Sequence, residues 1–216
     1  MAVDAHPTPS QERAWLLRAL LVLSSPRPVF AALRDVSDED AQARQEPITA
    51  ILILAGIASV LWTPVAGRLL DDPAYDGLVV AVWAFVGGAF YGFAGYWLGG
   101  GALQIGLRAA GSLGDYRRAR HLLAFAAAPI ALSLVLWPAR LAVYGSDLFR
   151  TGGADGGAGD GVFVALELAC VAWALVLLVV GVRTVHGWGW RRALEGVGVA
   201  VVALATPIVL LQVLGA

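Results

Sequence analysis

Lysine is absent from this 216-residue chain, and all fifteen of its cations are Arg. That removes the phosphate-binding lysine of a Walker-type loop, Schiff-base chemistry and a lysine-held pyridoxal cofactor. Cysteine occurs once, at Cys170, which excludes an intrachain disulfide and any Cys-rich zinc or iron–sulfur site. Charge is scarce as well: 14% of the residues, against about a quarter in a soluble domain. Sixteen carboxylates nearly balance the fifteen guanidiniums, so a net charge of −1 supplies no basic field to hold nucleic acid. What the chain has instead is apolar surface, with 59% hydrophobic residues and a mean hydropathy of +0.74. Lipid, not water, is the main solvent for such a composition.

A membrane span needs roughly 20 mostly apolar residues to cross about 30 Å of hydrocarbon, and five stretches qualify. They are residues 48–67, 77–107, 121–139, 161–182 and 193–216. The second is longer than a bilayer requires, so it must tilt, bend or protrude. Pro129 and Pro207 free backbone carbonyls one turn back and predict kinks in the third and fifth spans. The fold class expected is an all-α integral membrane protein. A cytoplasmic segment, 1–46, carries interfacial amphipathic helices, and 47–216 forms a five-span transmembrane helix bundle.

The first apolar stretch, 15–23, is short and interrupted by Arg18, so it reads as neither a cleaved signal nor a sixth span. Thr8, Pro9 and Gln11 have the chemistry of a helix start, and Ser25-Pro26 repeats it. The helix following Thr8 is expected along the headgroup boundary with Trp15 and its leucines, Arg13 and Arg18 turning toward phosphates. Residues 37–45 read as an acidic, flexible connection. Orientation follows from Arg placement. Five Arg precede the first span, four lie between the second and third and three between the fourth and fifth, whereas the opposite side holds only Arg68, Arg140 and Arg150. The N-terminus is therefore expected in the cytoplasm and the C-terminus outside. Trp188, Trp190 and Tyr116 are then aromatics of the inner boundary, and Trp62, Trp137 and Tyr144 of the outer one.

Few residues carry chemistry. Ala84, Gly88 and Gly92 recur every fourth residue, as do Gly95 and Gly99, giving small faces for close packing inside the bundle. Residues 152–161, GGADGGAGDG, hold one imperfect copy of a calcium-type repeat, too little to coordinate an ion, and read as a loop. Glu167 is the one ionisable group well inside a span, roughly 9 Å below the outer surface, and it lacks a charged partner in sequence. It is either a proton or cation site or a carboxyl hydrogen-bonded to Ser133 or Gln212. His121 and His186 fall at inner span ends beside Arg117, Arg118, Arg120 and Arg191. These six are candidates for contact with anionic lipid headgroups, and no metal or cofactor is expected there. Glu195 is expected to pair with Arg191 or Arg192. No nucleophile elbow, HExxH or catalytically spaced carboxylate pair occurs, so an enzyme is not expected.

Three segments together resemble the bacterial Yip domain family. Residues 17–35, LRALLVLSSPRPVFAALRD, are similar to its amphipathic Ser-Pro-Arg segment before the first span. Residues 111–129, GSLGDYRRARHLLAFAAAP, resemble its Gly-rich turn and alanine-rich third span, and 181–194, GVRTVHGWGWRRAL, its last inner loop. The resemblance implies a five-span, non-enzymatic adaptor or scaffold in membrane organisation or protein trafficking, with an unidentified protein partner. The Asp-Leu-Tyr-Gly-Pro pattern of eukaryotic members is replaced here by 40–47, so their GTPase partner is not carried over. A lysine-free, Ala-, Gly- and Arg-rich composition points to a bacterial gene, hence to the plasma membrane. The competing reading is a small transporter or channel using Glu167.

Overall fold

The structure, a computed structural model, describes residues 9–34, 37–153 and 160–214, with backbone alone at 9–12, 39 and 208–214. Every regular element among them is helical. The N-terminal part holds α1 (Pro9–Leu21), α2 (Pro26–Ala32) and α3 (Asp38–Ala43); α4 (Gln45–Leu61) follows after one residue. A 3-10 turn (Ala66–Asp71) leads to α5 (Gly77–Ala94), a π turn (Gly95–Gly99) and α6 (Gly100–Ala109). Next come α7 (Tyr116–Ala126), α8 (Ala128–Ser133), α9 (Leu136–Tyr144), α10 (Asp160–His186) and α11 (Trp190–Leu214).

Four stretches are long and apolar enough to cross a membrane: Asp40–Leu61, Gly77–Ala109, Tyr116–Phe149 and Asp160–His186. They match the first four predicted spans in place and differ in their ends. The first stops at Leu61, not at residue 67, because Pro64 disfavours helical geometry at Thr63. The long second span carries a π turn between α5 and α6, a local widening of the helical ladder. Proline breaks the third span outright: α7 ends at Ala126 and α8 restarts with Pro129 in its first turn, where the missing N–H costs nothing. The helix α11 runs through Pro207, and its side chains beyond that residue lie outside those described, Gln212 included. Thr8 and most of the loop 152–161 lie outside the described residues too.

The chain divides into two compact units. One comprises 1–50, 94–126 and 175–216 and holds twelve of the fifteen Arg; the other comprises 51–93 and 127–174 and holds Arg68, Arg140 and Arg150. In the Arg-rich unit, Phe30 (0% exposed) sits against the bare backbone of Gly181, and Gly106 lets α6 approach Gly196 and Ala200 of α11. Trp15 corrects the expectation for α1. It is 1% exposed, packed on Phe125 with 5.6 Å between ring centroids, and its indole N–H donates to Asp40 at 3.0 Å. Leu16, Leu17, Leu20 and Leu21 of the same helix remain exposed. Segment 37–45 is also ordered where a flexible link was expected. The Ser37 hydroxyl accepts from the Asp40 N–H at 3.4 Å and starts α3.

In the second unit the small residues of α5 pack within the chain. A methyl placed on Gly56 would collide with the Gly88 carbonyl, and one on Gly92 with the Leu52 carbonyl. A core of Leu70, Val80, Trp137, Leu148 and Phe149 closes this unit, with Trp137 stacked on Phe149 at 6.1 Å. Trp137, expected at the membrane boundary, is only 5% exposed. Asp71 fastens the loops of this unit, accepting from the Thr151 N–H at 2.8 Å and from its hydroxyl at 2.5 Å. Those two donors hold the Asp71 carboxyl below the usual carboxylate range. Because the folded value is the lower one, this link stabilises above the ordinary carboxylate range and is lost as pH falls through the lowered value. Thr151→Val, which keeps the backbone donor, should bring the Asp71 midpoint back toward 3.8. Carboxyl carbon NMR through an acid titration measures it; an unmoved midpoint would show that the hydroxyl contributes nothing.

Candidate functional site

The Arg-rich unit builds its site from the turn before α7. Gly111 takes φ +88°, a conformation that favours glycine, and lets the chain reverse after α6. Gln104 donates to the Gly114 carbonyl at 2.7 Å, and the Gly114 N–H donates to Ser112 Oγ at 3.0 Å. Asp115 then accepts from the Arg118 N–H at 2.7 Å, capping α7 and fixing where its side chains point. Arg117, Arg118 and His121, three and four residues apart, share one face of that helix. They line a narrow cleft with Leu33 and Arg44. Arg44, the C-cap residue of α3, is only 2% exposed. It was not singled out in sequence, because a lone Arg in an acidic stretch carries no signal until α3 folds back.

Charge in the cleft is partly compensated. Arg117 meets Asp38 at 2.7 Å and Arg44 meets Asp40 at 3.3 Å. Arg118 Nε is buried with no hydrogen-bond partner, and a terminal nitrogen of the same group reaches the Arg34 carbonyl at 3.4 Å. His121 is 4% exposed; burial and the charges of Arg44, Arg120, Arg117 and Asp115 act on it, and it hydrogen-bonds to no described residue.

The other sequence candidates are used differently. Arg120 turns away from the cleft into an aromatic box, its guanidinium 3.9 Å from the Trp97 ring, 4.7 Å from Tyr116 and 5.0 Å from Tyr96. The π turn presents Tyr96 and Trp97 there, and the Tyr116 hydroxyl donates to the Trp97 carbonyl at 2.6 Å. Cation–π contact therefore replaces hydrogen bonds to Nε, which has none. His186 is satisfied on both nitrogens. Nδ1 donates to the Val182 carbonyl at 3.1 Å, which leaves Nε2 to accept from the Ser112 hydroxyl at 3.0 Å. It anchors the turn before α7. Arg191 is 93% exposed at its side chain and pairs with Glu195 one turn on at 3.0 Å, as expected. Arg192 instead donates to the Ala110 carbonyl at 2.7 Å, closing the C-terminal end of α6. Among the described residues no three His, Cys, Asp or Glu side chains gather as a metal site requires.

Glu167 belongs to the second unit. Arg140 lies within electrostatic range, with Ser133 and Trp62 beside the carboxyl. Arg140, assigned to an outer loop in sequence, is 4% exposed and pairs with Asp160 at 2.5 Å. Its guanidinium lies 4.4 Å from the Trp62 ring and 4.9 Å from that of Trp137. The sequence hid this because α9 continues past the apolar window that defined the third span. Ser133 spends its hydroxyl on the Ile130 carbonyl at 2.8 Å, and Glu167 Oε2, Trp62 Nε1 and Trp137 Nε1 are buried with no hydrogen-bond partner.

A family model described as Yip1 domain matches residues 20–212. No curated protein and no solved structure matches the chain.

Proposed function

The chain belongs to the Yip1 domain family, and from that premise we propose that it is a non-enzymatic membrane adaptor or scaffold. In this reading its Arg-rich face holds anionic headgroups and a protein partner. The observation that carries it is the convergence of Arg44, Arg117, Arg118 and His121 on one cleft of the unit that holds twelve of the fifteen Arg. Guanidiniums at the membrane surface meet lipid phosphates at short range, and an anionic leaflet adds to the attraction. Helices α1 and α2 lie along the interface, anchored by Trp15 and Phe30, with the exposed leucines of α1 in the acyl boundary. The chain crosses the plasma membrane of a bacterium five times, α11 being the fifth span, with its N-terminus in the cytoplasm.

The orientation is tested by labelling in a Cys170→Ser background. A membrane-impermeant maleimide added outside should reach Tyr75→Cys and not Leu113→Cys, both at exposed positions. The reverse pattern would overturn it. The adaptor function is tested by purification in native lipid. Leu17→Gln with Leu20→Gln, which leaves the buried Trp15 in place, should lose the copurifying protein that the wild type retains. Equal retention would count against the N-terminal helices as the recruiting surface.

The Glu167 carboxyl, with Oε2 unpartnered inside a stretch apolar enough to cross a membrane, favours a second reading, a proton or cation path. Reconstituted vesicles decide between the two. A leak present with the wild type and absent with Glu167→Gln would replace the adaptor reading, because few other polar groups lie at that depth.

A further inference from the structure

The cleft beside α7 contains a donor without an acceptor. Arg118 makes no salt bridge to a described carboxylate and its Nε is buried without a partner, while His121, at 4% exposure, lines the cleft beside it. Buried donors left unsatisfied are costly, and native structures leave few of them. What they lack is an acceptor of negative charge with several oxygens. A guanidinium fork matches the geometry of carboxylate and phosphate alike, and a phosphate carries more oxygens to share among several donors.

The Asp38 carboxylate already lies at the mouth. Asp38 bonds Arg117 at 2.7 Å, yet its side chain is 83% exposed and that of Arg117 is 37% exposed. A pair so open to solvent is weak and screened by salt. Phosphate arriving at the cleft would exchange with Asp38 on Arg117 and at the same time supply an acceptor to Arg118 Nε, which Asp38 leaves without one. The same unit also offers an apolar surface to acyl chains, the exposed Leu16, Leu17, Leu20 and Leu21 of α1. Trp15 of that helix bonds Asp40 in α3, two residues from Asp38. Polar donors for a headgroup and exposed leucines for its tails thus lie on elements tied together by one hydrogen bond.

We propose that the cleft formed by Arg44, Arg117, Arg118 and His121 binds the phosphate of one anionic phospholipid, and that Asp38 competes with it for Arg117. The inference rests on the headgroup-binding part of the adaptor reading and deepens it from a charged face to one site with a built-in competitor. It makes occupancy respond to Asp38 in a way that a general attraction of basic residues for an anionic leaflet does not.

The test uses the full chain in neutral detergent micelles, titrated with phosphatidylglycerol, phosphatidylcholine or inorganic phosphate, with bound lipid counted by native mass spectrometry. The wild type should retain one phosphatidylglycerol and not phosphatidylcholine. Arg117→Gln with Arg118→Gln should cut retention at least tenfold, and Asp38→Asn should raise it severalfold. Glu195→Gln makes the same charge change on α11, away from the cleft, and should leave retention unaltered. The gain expected from Asp38→Asn guards against misfolding, since a damaged protein does not bind better. Retention unchanged in the double Arg variant, or raised equally by Asp38→Asn and Glu195→Gln, would overturn the site. Inorganic phosphate that displaces the lipid at equal concentration would overturn the lipid as ligand. If the double Arg variant loses the lipid while a copurifying protein is absent from wild type and variant alike, the site stands and the adaptor reading falls. If a partner copurifies with wild type and double variant alike while neither retains the lipid, the adaptor reading stands and the site falls.

Discussion

Replacing Arg140 with Ala should destabilise the fold by about 3–5 kcal/mol, the usual consequence of leaving one member of a buried ion pair alone. Arg140 is 4% exposed at its side chain, its partner Asp160 is 16% exposed, and the two meet at 2.5 Å. Removing the guanidinium leaves the Asp160 carboxylate without this ion-pair partner and takes a planar group from beside the Trp62 and Trp137 rings. Replacing both members, Arg140→Leu with Asp160→Leu, should recover most of the loss, because a buried pair stabilises little beyond an apolar pair of similar volume. Urea unfolding in micelles followed by indole fluorescence is a suitable assay, since both Trp62 and Trp137 report on the site. A single substitution within about 0.5 kcal/mol of wild type, the range of ordinary surface changes, would remove Arg140 from the stabilising core.

Gly56→Ala should be the second large effect, although it adds only one methyl. The new carbon would overlap the Gly88 carbonyl and press on the Gly92 nitrogen, both of them backbone atoms that no rotamer change can move. The helices α4 and α5 must separate. Overpacking of this kind costs roughly 1–3 kcal/mol, and the loss of backbone-to-backbone packing along the pair adds to it. Gly106→Ala, against the Gly196 carbonyl and Ala200, should behave similarly in the Arg-rich unit. Gly198→Ala is the control. It lies in α11 with nothing within 4 Å of the added carbon and should be neutral or stabilising by about 0.5–1 kcal/mol through helix propensity. Equal behaviour of Gly56→Ala and Gly198→Ala would show that the close approach of α4 and α5 does not limit stability.

Two of the sequence expectations failed for the same reason. Trp15 was placed at the headgroup boundary with its leucines and Arg140 with an outer loop, each by the rule that a side chain's place follows from the apolar run beside it. Both are buried, because each found a partner that the rule cannot see: Phe125 and Asp40 for Trp15, Asp160 and two indoles for Arg140. Segment 37–45 was read as flexible because it is acidic. It forms α3 because Ser37 caps it and because Arg117 and Trp15, far away in sequence, bind its carboxylates.

Read alone, the sequence specified the apolar character, the helical class, the first four stretches long and apolar enough to cross a membrane, and the segregation of Arg. Each of these follows from composition and from runs of like residues, and none depends on which helix touches which. It also determined where the chain must turn, since Gly111, Asp115 and Pro129 act through their own backbone or through neighbours a few residues away. The tertiary structure decided which charges are compensated. Four Arg of similar sequence context ended in four environments: Arg117 on Asp38, Arg118 facing the cleft, Arg120 in an aromatic box and Arg191 in water. A guanidinium takes its role from the groups within a few ångströms, and in a helical bundle those groups come from segments that the linear order keeps apart.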